Sequence, residues 1–254
     1  MKKLKGKKYA FFIDIDGTLT YKSALPSDKV LAALRKAQSL GHKVFINTGR
    51  ARGFVSNELI NCMPFDGIIC ALGQYIEMDG KVLRNICLKE EQVSRIVNWA
   101  HKNGRTGYFE GVYDVYSIND KNTPYGNIED TDFKNMSKIF LWGGLSSEDK
   151  KIIGEGIKFY IHETYVETVI KGYSKAAAMF DVLKEIGFPK DSCVAVGDSG
   201  NDIEMVCEAA IGIAVGNATE ELKKAADYIA KSNEEDGVAD AAEYIMRLSE
   251  EKQA

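Results

Sequence analysis

Short apolar runs separated by amphipathic stretches fill the first part of the chain: YAFFI (9–13), KVLAALRKAQSLG, KVFIN, ARGFVSNELINC and GIIC follow one another. β-Branched and aromatic runs bounded by glycine, alternating with helical periodicity, are the pattern of βαβ units and of a parallel sheet covered on both faces. The best marked helix is SDKVLAALRKAQSLG. Ser27 or Asp28 caps its start, Val30, Leu31, Leu34 and Ala37 form an apolar stripe, and Gly41 lies where the chain turns into the next strand. The same grammar returns late, in YSKAAAMFDVLKEIG, SCVAVGD, NDIEMVCEA, IGIAVGNA, a helix before ADYIA, and a last helix from near Gly237. The two ends read as halves of one Rossmann-like, doubly wound α/β sheet.

Between these halves the texture changes. A helix (KEEQVSRIVNWAHKNG) is followed by paired strand-like runs (RTGYFEG and VYDVYSIN), a polar loop over 120–135, KIFLWG, a helix in SSEDKKIIGEG, and a closing strand pair in KFYIHE and YVETVIK. Strands and helices without strict βα alternation predict an inserted α+β domain over 83–168, with 1–82 and 169–254 forming the core.

Composition narrows the function classes. With 254 residues and 45% hydrophobic content the chain can bury a substantial core, and a net charge of −4 leaves no extended basic footprint for nucleic acid. The N-terminal KKLKGKK reads as a short solvated tail. The apolar run after it stops at Asp14, well short of a signal core or a membrane span, so a soluble, cytoplasmic protein is expected, without membrane or nucleic-acid partners. Five cysteines without C-x-x-C spacing read as reduced structural thiols.

Ligands of an open parallel sheet bind at the carboxyl ends of its strands, and here those ends carry polar groups. The first ends in DIDGT, the second in NTGR, and CVAVGD runs on through SGND to Asp202; Lys175 opens the helix that enters the second half. On a continuing strand Asp14 and Asp16 would project together, and Asp198 would join them from another strand end. Three converging acids raise one another's pKa values unless a cation neutralises them. A hard divalent ion such as Mg²⁺ fits, since it takes oxygen ligands and is usually held by one or two carboxylates plus substrate phosphate. Thr48, Lys175 and the backbone N–H groups of the Gly17–Leu19 turn suit the anion, and Gly17 and Gly49 allow close backbone approach.

With DIDGTLT, TGR, YSK and GDSGND in this order, the chain resembles the haloacid dehalogenase (HAD) superfamily, in particular its Cof-type, class IIB sugar-phosphatase-like members. The resemblance covers roughly 7–82 and 169–250. It implies a Rossmann-like core, a mobile cap inserted after the third strand, and Mg²⁺-dependent phosphoryl transfer from a small phosphate ester through an aspartyl-phosphate. By position it implies Asp14 as nucleophile and Asp16 as acid and then base. Mg²⁺ would be held by the side chains of Asp14 and Asp198 and the Asp16 carbonyl. Thr48, Gly49 and Lys175 would bind phosphoryl oxygens, with Asn201 and Asp202 supporting phosphate or metal. The chain departs from the pattern at ALGQYIE (71–77), where Asn-Gly is usual, and at Ala176, where glycine often follows the lysine.

Other residues read more plainly. Arg50 is compatible with a phosphate contact, a structural ion pair or an exposed helix start, and is left out of the catalytic set. Asp202, four residues after Asp198, is read as functional over simple helix-dipole compensation. His42, His101 and His162 lack metal-ligand spacing and read as surface or packing residues, and Tyr108, Phe109, Tyr113 and Tyr116 as strand packing. The expected activity is hydrolysis of small phosphomonoesters, sugar phosphates among them. A phosphotransferase or phosphohexomutase on the same core is the alternative, and a non-catalytic binding protein a third reading. The motifs leave substrate and oligomeric state open.

Overall fold

The computed structural model describes residues 6–22 and 25–250. In chain order its regular elements begin with β1 (Ala10–Ile13), α1 (Asp28–Ser39), β2 (Lys43–Asn47), α2 (Asn57–Asn61), β3 (Gly67–Cys70), β4 (Tyr75–Met78), β5 (Lys81–Asn85) and α3 (Glu90–Lys102). Then come β6 (Gly107–Gly111), β7 (Val115–Ile118), β8 (Gly126–Asn127), β9 (Met136–Trp142), α4 (Ser147–Ile153), β10 (Ile157–Ile161) and β11 (Tyr165–Ile170). The chain closes with α5 (Lys175–Glu185), β12 (Cys193–Gly197), α6 (Ile203–Glu208), β13 (Ile211–Ala214), α7 (Glu220–Ala225), β14 (Tyr228–Ile229) and α8 (Gly237–Glu250).

The first sheet has eight strands in the order β14-β13-β12-β1-β2-β3-β4-β5. From β14 to β3 the pairings are parallel, and the β4–β5 hairpin adds two antiparallel strands at one edge. From β1 the chain steps outward through β2 and β3, whereas the second half builds outward through β12, β13 and β14. Right-handed crossovers running in opposite directions put helices on opposite faces, so strand order reverses beside β1. Accordingly α1 packs on α8 and α5 on α6. The strands between are buried on both faces, which explains their unbroken apolar runs, AFFI in β1 and CVAVG in β12.

α1 forms as its stripe predicts. Ser27 is the N-cap, accepting from Val30 N, and Val30, Leu31, Ala33, Leu34 and Ala37 are buried. The stretch ARGFVSNELINC yields only a 3₁₀ turn over Arg52–Phe54 and the five-residue α2. A Cβ on Gly53 would lie 2.9 Å from Gly111 O, so this loop is pressed against the second sheet, and Ser56 caps a fresh start by accepting from Leu59 N. Part of the basic N-terminal run lies outside the described residues. Its end is docked and is not a free tail: Gly6 N donates to Ser249 O, and Lys7 pairs with Asp191.

The second sheet has six strands, β10-β11-β9-β6-β7-β8. α3 and α4 cover one face, burying Val93, Ile96, Trp99 and Ile153 against Phe109, Ile139 and Leu141. The loop expected over 120–135 contains β8 and a 3₁₀ turn over Ile128–Asp130, anchored by buried Ile128. All five cysteines are free thiols, and among the described residues no helix is long and apolar enough to cross a membrane.

Gln74 sits where the chain passes between the sheets, and it is completely buried. Its amide donates to Ile86 O and Ser137 O and accepts from Ile170 N at 2.6 Å, tying both connecting segments and β9 together.

Candidate active site

β1 ends at Ile13, but the ladder continues by one residue, with Asp14 N donating to Val196 O at 3.0 Å. The backbone then turns: Leu19 N bonds Asp14 O, and Thr18 N and Thr20 N bond Ile15 O. Asp14 and Asp16 are therefore separated, and do not project together as a continuing strand would place them. Asp14 is buried, whereas the Asp16 side chain is 58% exposed. Gly17 takes φ +76°, and a Cβ there would stand 2.5 Å from Asp198 Oδ2, so glycine is required both by the turn and by the approach of Asp198.

Lys175 is the first residue of α5, whose N-cap Ser174 accepts from Ala177 N. Its ammonium, fully buried, lies 2.6 Å from Asp14 Oδ1 and 2.7 Å from Asp202 Oδ1. Burial disfavours the charged amine, but the two carboxylates outweigh it and raise the Lys175 pKa. Asp202 Oδ2 accepts from the N–H groups of Asp198 and Ser199, so both its oxygens are engaged. Thr18 Oγ1 donates to Asp198 Oδ1 at 2.8 Å. Burial, reinforced by Asp202, pushes the Asp198 carboxyl up to about 6.

Carboxylate oxygens of Asp14, Asp198 and Asp202 lie within 4.8 Å of one another. One lysine faces three acids, and among the described residues Asp14 Oδ2 and Asp198 Oδ2 have no hydrogen-bond partner. An all-oxygen donor set with uncompensated negative charge fits a hard divalent cation.

The remaining expected residues fall into two groups. Gly49 and Asn201 line a cleft of about 420 Å³ at this sheet end, together with Asp14, Asp16 and Asp198. Thr48 lies beneath the cleft, buried, with its hydroxyl accepting from Arg50 N at 3.1 Å. Arg50 forms a two-point pair with Asp16, Nε to Oδ2 at 2.8 Å, and both line the cleft.

The opposite wall comes from the second sheet, and sequence reasoning missed it. Tyr108 and Glu110 on β6, Lys138 and Phe140 on β9, and Tyr165 and Glu167 on β11 line the cleft. Each pair is two residues apart, so the strand pleat puts them all on the face turned away from α3 and α4. Tyr108 is paired across strands with Phe140 and Glu110 with Lys138, while neighbouring Phe109 points into the core. The aromatic group expected to be packing is thus divided: Tyr108 faces the cleft, and Tyr113 is exposed. His162, read as a surface or packing residue, also lines the cleft and stacks on Tyr165 at 4.1 Å. The available signal was a lone charge inside each apolar strand, as in YFEG, SKIFL and YVETV.

Lys138 is the second buried lysine of the site. Its ammonium lies 2.8 Å from Glu167 Oε1 and 3.8 Å from Glu110 Oε2, and donates to Gly49 O at 3.0 Å, joining the second sheet to the loop after β2. Burial raises the Lys138 environment's cost for charge, yet Glu110 and Glu167 prevail and its pKa is raised. Burial also acts to raise Glu167, but Lys138 holds it at about 2. Ala51 N donates to Glu110 Oε2 at 3.3 Å.

The architecture and the chain's relatives agree. The family model of haloacid dehalogenase-like hydrolases matches residues 11–143 and 144–241. A 5-amino-6-(5-phospho-D-ribitylamino)uracil phosphatase of Bacillus subtilis is 31% identical over 218 residues, covering 82% of this chain and 84% of that protein. A phosphoglycolate phosphatase of Methanothermobacter thermautotrophicus is 26% identical over 212 residues, covering 84% and 87%. Among solved structures, a HAD subclass IIB sugar phosphatase superposes with a TM-score of 0.81 at 25% identity, over 94% of this chain and 99% of that one. A haloacid dehalogenase-like hydrolase from Bacteroides thetaiotaomicron gives 0.82 at 28% identity, over 94% and 100%. The chain belongs to the haloacid dehalogenase-like hydrolase family, on its phosphatase branch.

Proposed function

We propose that this chain hydrolyses small phosphomonoesters, sugar phosphates among them, with Mg²⁺ and through an aspartyl-phosphate on Asp14. The observation that carries this reading is the state of Asp14: Lys175 fixes Oδ1 at 2.6 Å, while Oδ2 is unbonded at the floor of a cleft shared with Asp16 and Asp198. In this reading Asp14 attacks phosphorus and the bond to the ester oxygen breaks. Asp16, once it has left its Arg50 pair and taken a proton from solvent, gives that proton to the departing alkoxide and then takes one from the water that displaces Asp14 and releases inorganic phosphate. Burial, with Asp202 and Asp198 adding to it, raises the Asp14 pKa; Lys175 opposes that rise and orients the carboxylate, and Thr48, Gly49 and Asn201 form the phosphate side with Lys175.

Mg²⁺ would be held by the carboxylates of Asp14 and Asp198 and the Asp16 main chain, with Asp202 bracing Lys175 and the Asp198 backbone; when bound it neutralises charge on the transferring phosphoryl group. Residues 83–168 serve as the cap and 1–82 with 169–254 as the core, with β5 running in the first sheet to Asn85 and β11 in the second to Ile170, so the leaving group would sit in the cleft between the two sheets. Asp14→Asn should lower kcat on p-nitrophenyl phosphate by at least about 10³-fold. Retention of near wild-type, Mg²⁺-dependent turnover in that variant would refute the nucleophile assignment.

A further inference from the structure

The wall facing the chemistry is unusual in its charge and in what it leaves unpaired. Glu110 and Glu167 stand against the single positive charge of Lys138, Glu110 with its pKa raised by burial and Glu167 held ionised by Lys138, and Arg50 is already balanced by Asp16. The leaving-group side thus sets two carboxyl groups against one lysine. Lys138 is a poor partner for a further anion, because it is buried, two of its three donors go to Glu167 and Gly49 O, and Glu110 stands 3.8 Å away. Glu167 Oε2 and His162 Nε2 stand 3.8 Å apart, too far for a direct hydrogen bond, and both are shut off from solvent without a partner. A buried carboxylate oxygen left unpaired is unfavourable until a donor reaches it. Around these polar groups Tyr108, Phe140 and Tyr165 supply flat apolar surface, with Phe140 stacked on Tyr165 at 4.7 Å.

We propose that the Glu110–Lys138–Glu167–His162 wall is a leaving-group subsite selecting phosphomonoesters of neutral, donor-bearing alcohols, such as linear polyols, and rejecting esters whose leaving group carries a carboxylate. A hydroxyl between Glu167 and His162 would donate to the carboxylate oxygen and accept from the ring nitrogen if that nitrogen bears the proton. An N–H donor would satisfy the carboxylate alone. A leaving-group carboxylate, by contrast, would face two glutamates whose only cation is already committed. This selection rests on the phosphatase reading above, and it separates the two kinds of substrate carried in the names of the relatives, a phosphoribityl compound and phosphoglycolate.

The test compares kcat/KM of the full chain, with Mg²⁺, on D-ribitol 5-phosphate and on phosphoglycolate, with p-nitrophenyl phosphate reporting the chemistry alone. Wild type should favour ribitol 5-phosphate by about tenfold or more, the worth of one good contact to a charged group plus one avoided repulsion. Glu167→Gln, isosteric but uncharged, should lower that ratio by about tenfold, chiefly through KM on both esters in opposite directions. Glu110→Gln, whose side chain is bonded differently, should lower it in the same sense and serves if Glu167→Gln does not fold. Turnover of p-nitrophenyl phosphate with no preference for the polyol ester, or a ratio unmoved by both substitutions, overturns the subsite while leaving the phosphatase reading intact. Absence of turnover on all three esters overturns the reading beneath it.

Discussion

The cleft is built twice on one plan: a buried lysine between two carboxylates on the core side, Lys175 with Asp14 and Asp202, and another on the facing sheet, Lys138 with Glu110 and Glu167. The surroundings make them different tools. Lys175 has no solvent access, and a third acid, Asp198, stands beside its pair, so the surplus negative charge is concentrated within a few ångströms and suits a divalent ion. Lys138 spends a bond on a backbone carbonyl, and its acids stand on neighbouring strands of an open sheet face, so the surplus there is one unpaired acceptor. Packing around an ion triad, more than the triad itself, decides what it binds.

Removing the two lysines separates the cases most sharply. Lys175→Met removes the shared cation of two buried carboxylates, of which only Asp202 keeps backbone N–H donors, and should lower unfolding free energy by about 3–5 kcal/mol in denaturant titrations without metal. Equal stability of this variant and wild type would mean that the acids are not held ionised in the folded chain. Metal comes next: Mg²⁺ at a hundred times its dissociation constant should add about 2.7 kcal/mol to wild-type stability. That gain should largely vanish in Asp198→Asn; a full shift in this variant would place the ion elsewhere.

Lys138→Met should be milder, about 2 kcal/mol, because Glu110 keeps the Ala51 N–H and Glu167 keeps His162 beside it. A loss as large as that of Lys175→Met would erase the distinction drawn between the clusters. Gln74→Ala, outside both, should cost about 1–2 kcal/mol by stripping the Ile86, Ser137 and Ile170 backbone groups of their shared partner. If its kcat/KM on p-nitrophenyl phosphate also falls while Tm is restored by an osmolyte, Gln74 sets how the sheets face each other; unchanged kinetics would limit it to stability.

The core was legible because parallel strands and their helices write themselves locally, in runs such as AFFI and CVAVG, and because α1 declares its cap and stripe within a dozen residues. The β4–β5 hairpin was also written, in the Asp79-Gly80 turn with positive φ at both residues, but went unread. The first wall of the site was legible for the same reason as the core: strand ends gather whatever follows them, so Asp14, Asp198 and Lys175 had to meet. Thr48 and Asp202 carry the motif yet sit beneath the cleft surface, since their polar atoms are taken by Arg50 N, Lys175 and the Asp198 and Ser199 N–H groups.

By itself, then, the sequence determined the sheet, the acids at its edge and the cation they call for, since these follow from short-range periodicity and from charge repulsion. Only the tertiary structure decided that Asp14 and Asp16 part company at a turn, that Arg50 belongs to Asp16, and that Glu110, Lys138 and Glu167 share one face opposite them. Those last three are far apart in the chain, and a period of two says that a residue changes face, never which face will meet another domain.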